Sequence, residues 1–327
     1  MAATPRIERA TPDDLDTLLS IRASLGWTRH ANLLRSMLAW DGGRVFVVRE
    51  GEVYPDSTTP HLPAATTAAI ATGSVGVIGN VVVRPEFQRR GLAKLVMRAA
   101  LDWMRERGVR AALLDATKSG HPLYASLGFR DIARSWFADT SVSAVSRDAL
   151  RRLARPIAIT QARPEDIGRI AALDAEAFGG DRTALLAPLA RIPGAALYLA
   201  ATGATVEGYL LVRPLETPKA GIRVGPWIAR DTVTAAALLS AALASDAPWR
   251  EFLGVVGNAD AELLISPPGT NPAALNLLLD ARIDLTKDDV IMQCDLALPT
   301  DEPAPAPPPP PPGRQEWIYA WTAPMVF

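Results

Sequence analysis

The sequence predicts an α/β protein made of two copies of one fold, and three observations carry that prediction. The first is an internal repeat. Ile7–Ala10–Pro12–Asp14–Leu15–Leu18–Ile21 lies over Ile159–Ala162–Pro164–Asp166–Ile167–Ile170–Leu173, every pair the same distance apart. The second is patterning: β-branched, strand-like runs alternate with amphipathic segments of helical period. The third is size. The chain has 327 residues, 49% of them hydrophobic, enough for two cores at roughly 100–200 residues per domain. The expected domains are residues 1–150 and 156–327, joined near Arg152 to Pro156.

Each copy opens with a short strand, a polar turn and a helix. Leu15, Leu18, Leu19 and Ile21 set the helical stripe in the first, and Ile167, Ile170 and Leu173 in the second. Asp13–Asp14 and Glu165–Asp166 place acid in the first turn, where the helix dipole favours it. In the first copy, strands are expected at Arg44–Val48 and Ala69–Ser74, with Gly51–Thr66 between them as an extended hairpin loop. Gly79–Val83 reads as a buried strand, ended at Arg84–Pro85 because proline donates no ladder hydrogen bond. After Gln88–Ala93 a helix runs to Arg107 with Leu92, Leu95, Val96, Ala99, Ala100 and Trp103 on one face. Gly108 stops it, and Val109–Leu114 is the next strand. A short helix follows Gly120–His121–Pro122, carries Tyr124 and ends at Gly128.

The strand, glycine turn and helix around Gly91 make an anion site. The first amides of a helix lack intrahelical partners and point outward at the positive end of the dipole. Gly91 and Ala93 keep side chains out of the way, and Arg89, Arg90 and Lys94 add positive charge. An ordinary turn with solvated arginines has the same composition, so the turn alone leaves both readings open.

Composition narrows the class. The net charge of -1 points to neither nucleic acid nor an anionic membrane. Residues 1–150 carry 19 Lys+Arg against 15 Asp+Glu, and the rest 15 against 20, so a polyanionic ligand suits the first half. One cysteine, Cys294, excludes an internal disulfide and reads as a small packing residue. His30, His61 and His121 show no metal-ligand spacing, so no metal is expected. No apolar run reaches the ~20 residues of a membrane span, and Met1–Arg9 is not signal-like, so a cytoplasmic protein is expected. No feature of the sequence fixes an oligomeric state.

Gln88-x-x-Gly91-x-Ala93 after a Val-Val-Val-Arg-Pro strand closely resembles the acyl-CoA signature of the GNAT N-acetyltransferase superfamily. Leu123–Tyr124–Ala125–Ser126–Leu127–Gly128–Phe129 resembles that family's "LYxxLGF" element, and the likeness covers residues 4–140. It implies mixed, mostly antiparallel twisted sheets flanked by helices, with acetyl-CoA as co-substrate. The strand at Val81, Val82 and Val83 would splay from its neighbour and take the pantetheine arm. The pyrophosphate would sit on the turn of Gln88, Arg89, Arg90, Gly91, Leu92, Ala93 and Lys94, with Thr117 also touching the cofactor. Tyr124 would lie near the thioester sulfur. A phenol there can protonate the departing thiolate. Asp115, His121 or a water chain could take the proton of the amine. Trp27 falls where acceptor-side residues often lie.

In the second copy, Val224–Asp231 and the helix after it occupy the place of this turn without Q-x-x-G-x-A, and Leu278 falls where Tyr124 stands. Arg223–Val224–Gly225–Pro226–Trp227 is similar to an element of tandem GNAT proteins, which marks the second half as a degenerate copy. Pro303–Pro312 is expected to be extended, polyproline-like chain, read as a spacer with a ligand for a proline-binding module as the alternative, and Glu316–Thr322 reads as a strand returning to the second domain. The expected function is N-acetyl transfer from acetyl-CoA to a primary amine of a small molecule by direct attack. The competing expectation is a non-catalytic acyl-CoA sensor or scaffold.

Overall fold

The computed structural model describes residues 5–23, 25, 31–154, 156–215, 219–255, 260–296 and 313–321. Trp27, His30 and Pro303–Pro312 lie outside them. The described residues form two compact units, one of residues up to 131 with 292–296, the other of 132–291 with 313–321.

The first unit holds β1 (Glu8–Arg9), α1 (Leu15–Ala23), α2 (Ala31–Ala39), β2 (Gly43–Arg49), α3 (Glu50–Val53), β3 (Pro63–Thr72), β4 (Val75–Val83), α4 (Leu92–Glu106), β5 (Ala111–Ala116) and α5 (His121–Ala125). Its sheet runs β1-β2-β3-β4-β5. The pairs are antiparallel except β4–β5, which is parallel. Asp14 accepts the Thr11 N–H at 2.8 Å, which fixes the turn into α1. α4 buries Leu92, Val96, Met97, Ala100, Leu101, Trp103 and Met104, each large apolar side chain contributing about 1.5–3 kcal/mol.

Several expected boundaries move, among them the start of β4, which lies at Val75 rather than Gly79. Gly51–Thr66 is not one loop: α3 occupies its start and β3 begins at Pro63. Ala64 and Ala65 extend β3 because they are buried against Val48, Phe87, Leu92 and Val96. β5 starts two residues after Val109, whose N–H bonds Met104 O at 3.0 Å and so closes the end of α4.

The second unit holds β6 (Arg130–Ser141), α6 (Arg147–Leu153), β7 (Ala158–Ala162), α7 (Ile167–Phe178), α8 (Thr183–Ala190), β8 (Ala196–Thr202), β9 (Thr205–Pro214), β10 (Gly221–Ala229), α9 (Thr232–Ala242), α10 (Pro248–Phe252), β11 (Glu262–Ile265), α11 (Pro272–Asp280), β12 (Lys287–Asp295) and β13 (Ile318–Ala320). The first two residues of β6 and the last residues of β12 group with the first unit. The sheet runs β6-β11-β10-β9-β8-β7, with β13 on β10. Asp166 accepts the Arg163 N–H at 2.9 Å, repeating the Asp14 turn. Leu210, Val212, Ile222, Val224, Trp227, Leu238 and Trp249 anchor the core.

Both edges of β10 are used. β9 pairs along one edge from Ile222 to Ala229. On the other, β11 pairs in parallel only from Gly221 to Val224, and β13 takes over at Trp227 and Ile228. The expected C-terminal strand therefore forms at Ile318–Ala320, while Thr322 lies outside the described residues.

Candidate active site

The parallel ladder between β4 and β5 ends at Val77↔Leu113. Both strands continue, β4 to Val83 and β5 to Ala116. Among the described residues nothing pairs with that edge of β4 beyond Val77. A bulge helps to part the strands: Thr66 faces Val82 and Ala68 faces Gly79, so Asn80 and Val81 stand opposite Thr67 alone. Asn80 takes the left-handed conformation, φ 55°. Its Oδ1 accepts a hydrogen bond from Nη1 of Arg22 on α1. Arg22 is 2% exposed, and burial lowers its pKa to about 10.

The turn after β4 takes two left-handed residues, Arg89 at φ 59° and Gly91 at φ 79°. Alternation of this kind turns successive amides toward one concavity. Gly91 caps α4 without a side chain, and a Cβ there would meet only open space. Leu95 makes the first backbone bond of the helix, to Gly91 O at 3.1 Å. The amides of Leu92, Ala93 and Lys94 precede it, at the positive end of the dipole.

These parts line one cleft of about 640 Å³. Val81 and Val83 lie on its β4 side, Gln88, Arg89, Gly91, Leu92, Ala93 and Lys94 on its turn and helix side, and Thr117 and Tyr124 beyond them. Val82 and Arg90 are not among the lining residues. Val82 is buried. The Arg90 guanidinium lies 4.6 Å from the Tyr54 ring centroid and donates to the Tyr54 hydroxyl. Leu123 of the LYxxLGF-like element also lines the cleft, as do Leu25, Ile78, Asn80 and Phe87, which carry no site expectation from sequence. Asn80 had a signal, a Gly-Asn pair interrupting a β-branched run, which marks a bulge.

Tyr124 is 9% exposed. Its ring packs edge-on to Phe129 at 6.2 Å and lies against Gly120, where a Cβ would sit 2.8 Å from the ring. Burial, and then the charge of Asp115, raise its pKa to about 12. The phenol therefore stays protonated throughout neutral and mildly alkaline conditions. Asp115 lines the same cleft, whereas His121 bonds Asp131 at 2.7 Å and is not among its lining residues. Thr117 Oγ1 accepts the Gly120 N–H at 3.2 Å and so braces the turn into α5. Among the described residues no cluster of His, Cys, Asp and Glu suits a metal ion, and no helix is long and apolar enough to cross a membrane.

An open strand edge, a concavity of amides and a buried phenol together suit a long, partly anionic ligand with a reactive end at Tyr124. Residues 13–129 match the acetyltransferase (GNAT) family, and residues 170–255 match an acetyltransferase (GNAT) domain. The chain is similar to the uncharacterized N-acetyltransferase YitH of Bacillus subtilis (strain 168), 31% identical over 170 residues, 51% of this chain and 56% of that protein. It thus spans little more than half of that relative. Among solved structures it is similar to a Pyrococcus horikoshii protein assigned to the acetyltransferases, with a TM-score of 0.68, 21% identity, and coverage of 97% and 94% of the two chains. It is also similar to a tandem GNAT protein from the clavulanic acid biosynthesis pathway, with a TM-score of 0.60, 13% identity, and coverage of 91% and 100%. Likeness at these identities shows the fold.

Proposed function

The chain belongs to the GNAT acetyltransferase family, with a GNAT domain in each half, and we propose that its first unit moves an acetyl group from acetyl-CoA to a primary amine of a small molecule. The observation that carries this reading is the single cleft joining the β4 edge, the Gly91 turn and Tyr124. The pantetheine arm would pair with β4 at Val81 and Val83, the pyrophosphate would rest on the amides from Arg89 to Lys94, and Thr117 would flank the arm.

In the ternary complex the amine nitrogen attacks the thioester carbonyl carbon. The new C–N bond forms, the C–S bond breaks, and the electron pair leaves on sulfur. The amine sheds its proton to a carboxylate or water of the cleft, and Tyr124 donates to the sulfur. A phenol at about 12 is a weak acid beside a free thiol near 8.5. The same desolvation raises the basicity of a thiolate in that cleft, which brings donor and acceptor closer together.

The test screens amino acids, polyamines and aminoglycosides as acceptors, with Tyr124→Phe alongside. On a true acceptor, kcat of the variant should fall about 100-fold or more with acetyl-CoA affinity within about twofold. Acetyl-CoA binding without turnover on any amine would instead favour a sensor or scaffold.

A further inference from the structure

The second unit has the strand arrangement of the first, but its gap is filled. Its parallel ladder ends at Val224↔Ile265, as the first unit's ends at Val77↔Leu113. Where the first unit has its cleft, the second has residues 318–321. Ile318 and Ala320 pair with Ile228 and Trp227 on β10. On the other side, the Trp321 N–H bonds Ser266 O just after β11, at 3.0 Å. The segment lies so close to β10 that a Cβ on Gly225 would stand 1.9 Å from Trp321 O.

The side chains around it fit this occupant. Tyr319 packs on Trp227 at 5.2 Å, and its hydroxyl shares a hydrogen bond of 3.0 Å with Thr232 Oγ1. Trp321 packs edge-on to Phe178 at 5.7 Å. Asn271 caps α11 with its Oδ1, which accepts from Ala274 N–H at 3.1 Å, while its Nδ2 donates to Glu316 O at 2.8 Å and Ile318 O at 3.0 Å. Among the described residues the anion half of a nucleotide site is absent. Asp231 caps α9 by accepting the Thr234 N–H at 2.7 Å, so a carboxylate stands where a phosphate would need amides.

We infer that the second unit's cleft is a strand-binding groove for an extended aromatic peptide, that its occupant is the chain's own residues 318–321, and that it takes no acyl-CoA. Backbone pairing on β10 supplies affinity, and the pockets for Tyr319 and Trp321 supply selectivity. In the sequence this segment follows the Pro/Ala-rich run 303–312.

The test uses the folded full chain with a protease site placed between residues 303 and 312. After cleavage, the C-terminal fragment should co-elute with the body and exchange for a labelled peptide of residues 313–321. Acetyl-CoA should not displace it. Asn271→Asp keeps the cap on α11 but loses both Nδ2 bonds, and should weaken retention about 10-fold or more. In the uncleaved chain the same variant should speed amide exchange at residues 318–321 while leaving β9 protected. A fragment that leaves a body of unchanged melting temperature would overturn the inference. So would displacement by acetyl-CoA, or exchange at 318–321 that is fast in the wild type and indifferent to Asn271→Asp.

Discussion

In the first unit β4 and β5 part beyond Val77↔Leu113 around an open cleft, whereas in the second β10 and β11 part beyond Val224↔Ile265 around a strand of the same chain. The backbone device is shared: a parallel pair that stops early leaves an edge whose amides and carbonyls need partners. A few residues decide what supplies them. Gly91 leaves the first amides of α4 uncapped, while Asp231 caps those of α9. Tyr124 brings a hydroxyl to one cleft, while the corresponding Leu278 is buried in the core beside the other.

The first helix of each copy differs in the same sense. Arg22 on α1 reaches the bulge that helps to open β4. The matching Asp174 on α7 is sealed with Arg182, at 2.7 Å, and with the Tyr209 hydroxyl. One buried charge serves the cleft and the other serves the core, so their removal should differ in kind. Arg182→Met leaves Asp174 buried without its cation and should cost about 3–5 kcal/mol of unfolding free energy in denaturant titrations. Arg22→Met should cost less stability and weaken acetyl-CoA binding, because the bulge loses its brace. A reversed pattern would break the comparison.

Gly120→Ala would push the Tyr124 ring through the Cβ contact at 2.8 Å. We expect kcat to fall roughly 10-fold or more while acetyl-CoA affinity and melting temperature stay near wild type. A smaller effect is expected behind the phosphate turn. Arg90 packs on Tyr54, and Arg84 pairs with Glu50 at 2.9 Å, so residues of α3 and its flank hold the turn from outside the cleft. Tyr54→Ala should weaken acetyl-CoA roughly 2- to 5-fold with kcat unchanged.

The smallest effect is a predicted null in pH. The folded pKa of Tyr124, about 12, lies above the unfolded value near 10. Its proton therefore favours the folded state fully below pH 10, and that contribution fades as pH rises toward 12. Up to pH 10 the kcat profile should show no falling limb that Tyr124→Phe removes.

The two-copy fold was legible because the repeat is written in core positions, Leu15, Leu18 and Ile21 against Ile167, Ile170 and Leu173, which periodicity exposes. The Gly91 turn and Tyr124 were legible because their chemistry is local. Less was visible where partners are remote. Ile318–Ala320 could be read as a strand, but its seat on β10, about ninety residues away, depends on a ladder that stops early. Arg90 was grouped with the phosphate turn by adjacency, whereas Tyr54, distant in sequence, sets where its guanidinium lies. Asn80 was hidden inside a strand, since its role comes from the buried Arg22 across the fold.

The most direct test is a calorimetric titration of acetyl-CoA into the full chain, wild type and Gly91→Asp. We expect one site per chain in the wild type. In the variant, affinity should fall about 100-fold or more, because an L side chain is strained at φ 79° and its carboxylate opposes the pyrophosphate. Two sites per chain, or binding that survives Gly91→Asp unchanged, would contradict the assignment of acyl-CoA to the first cleft alone.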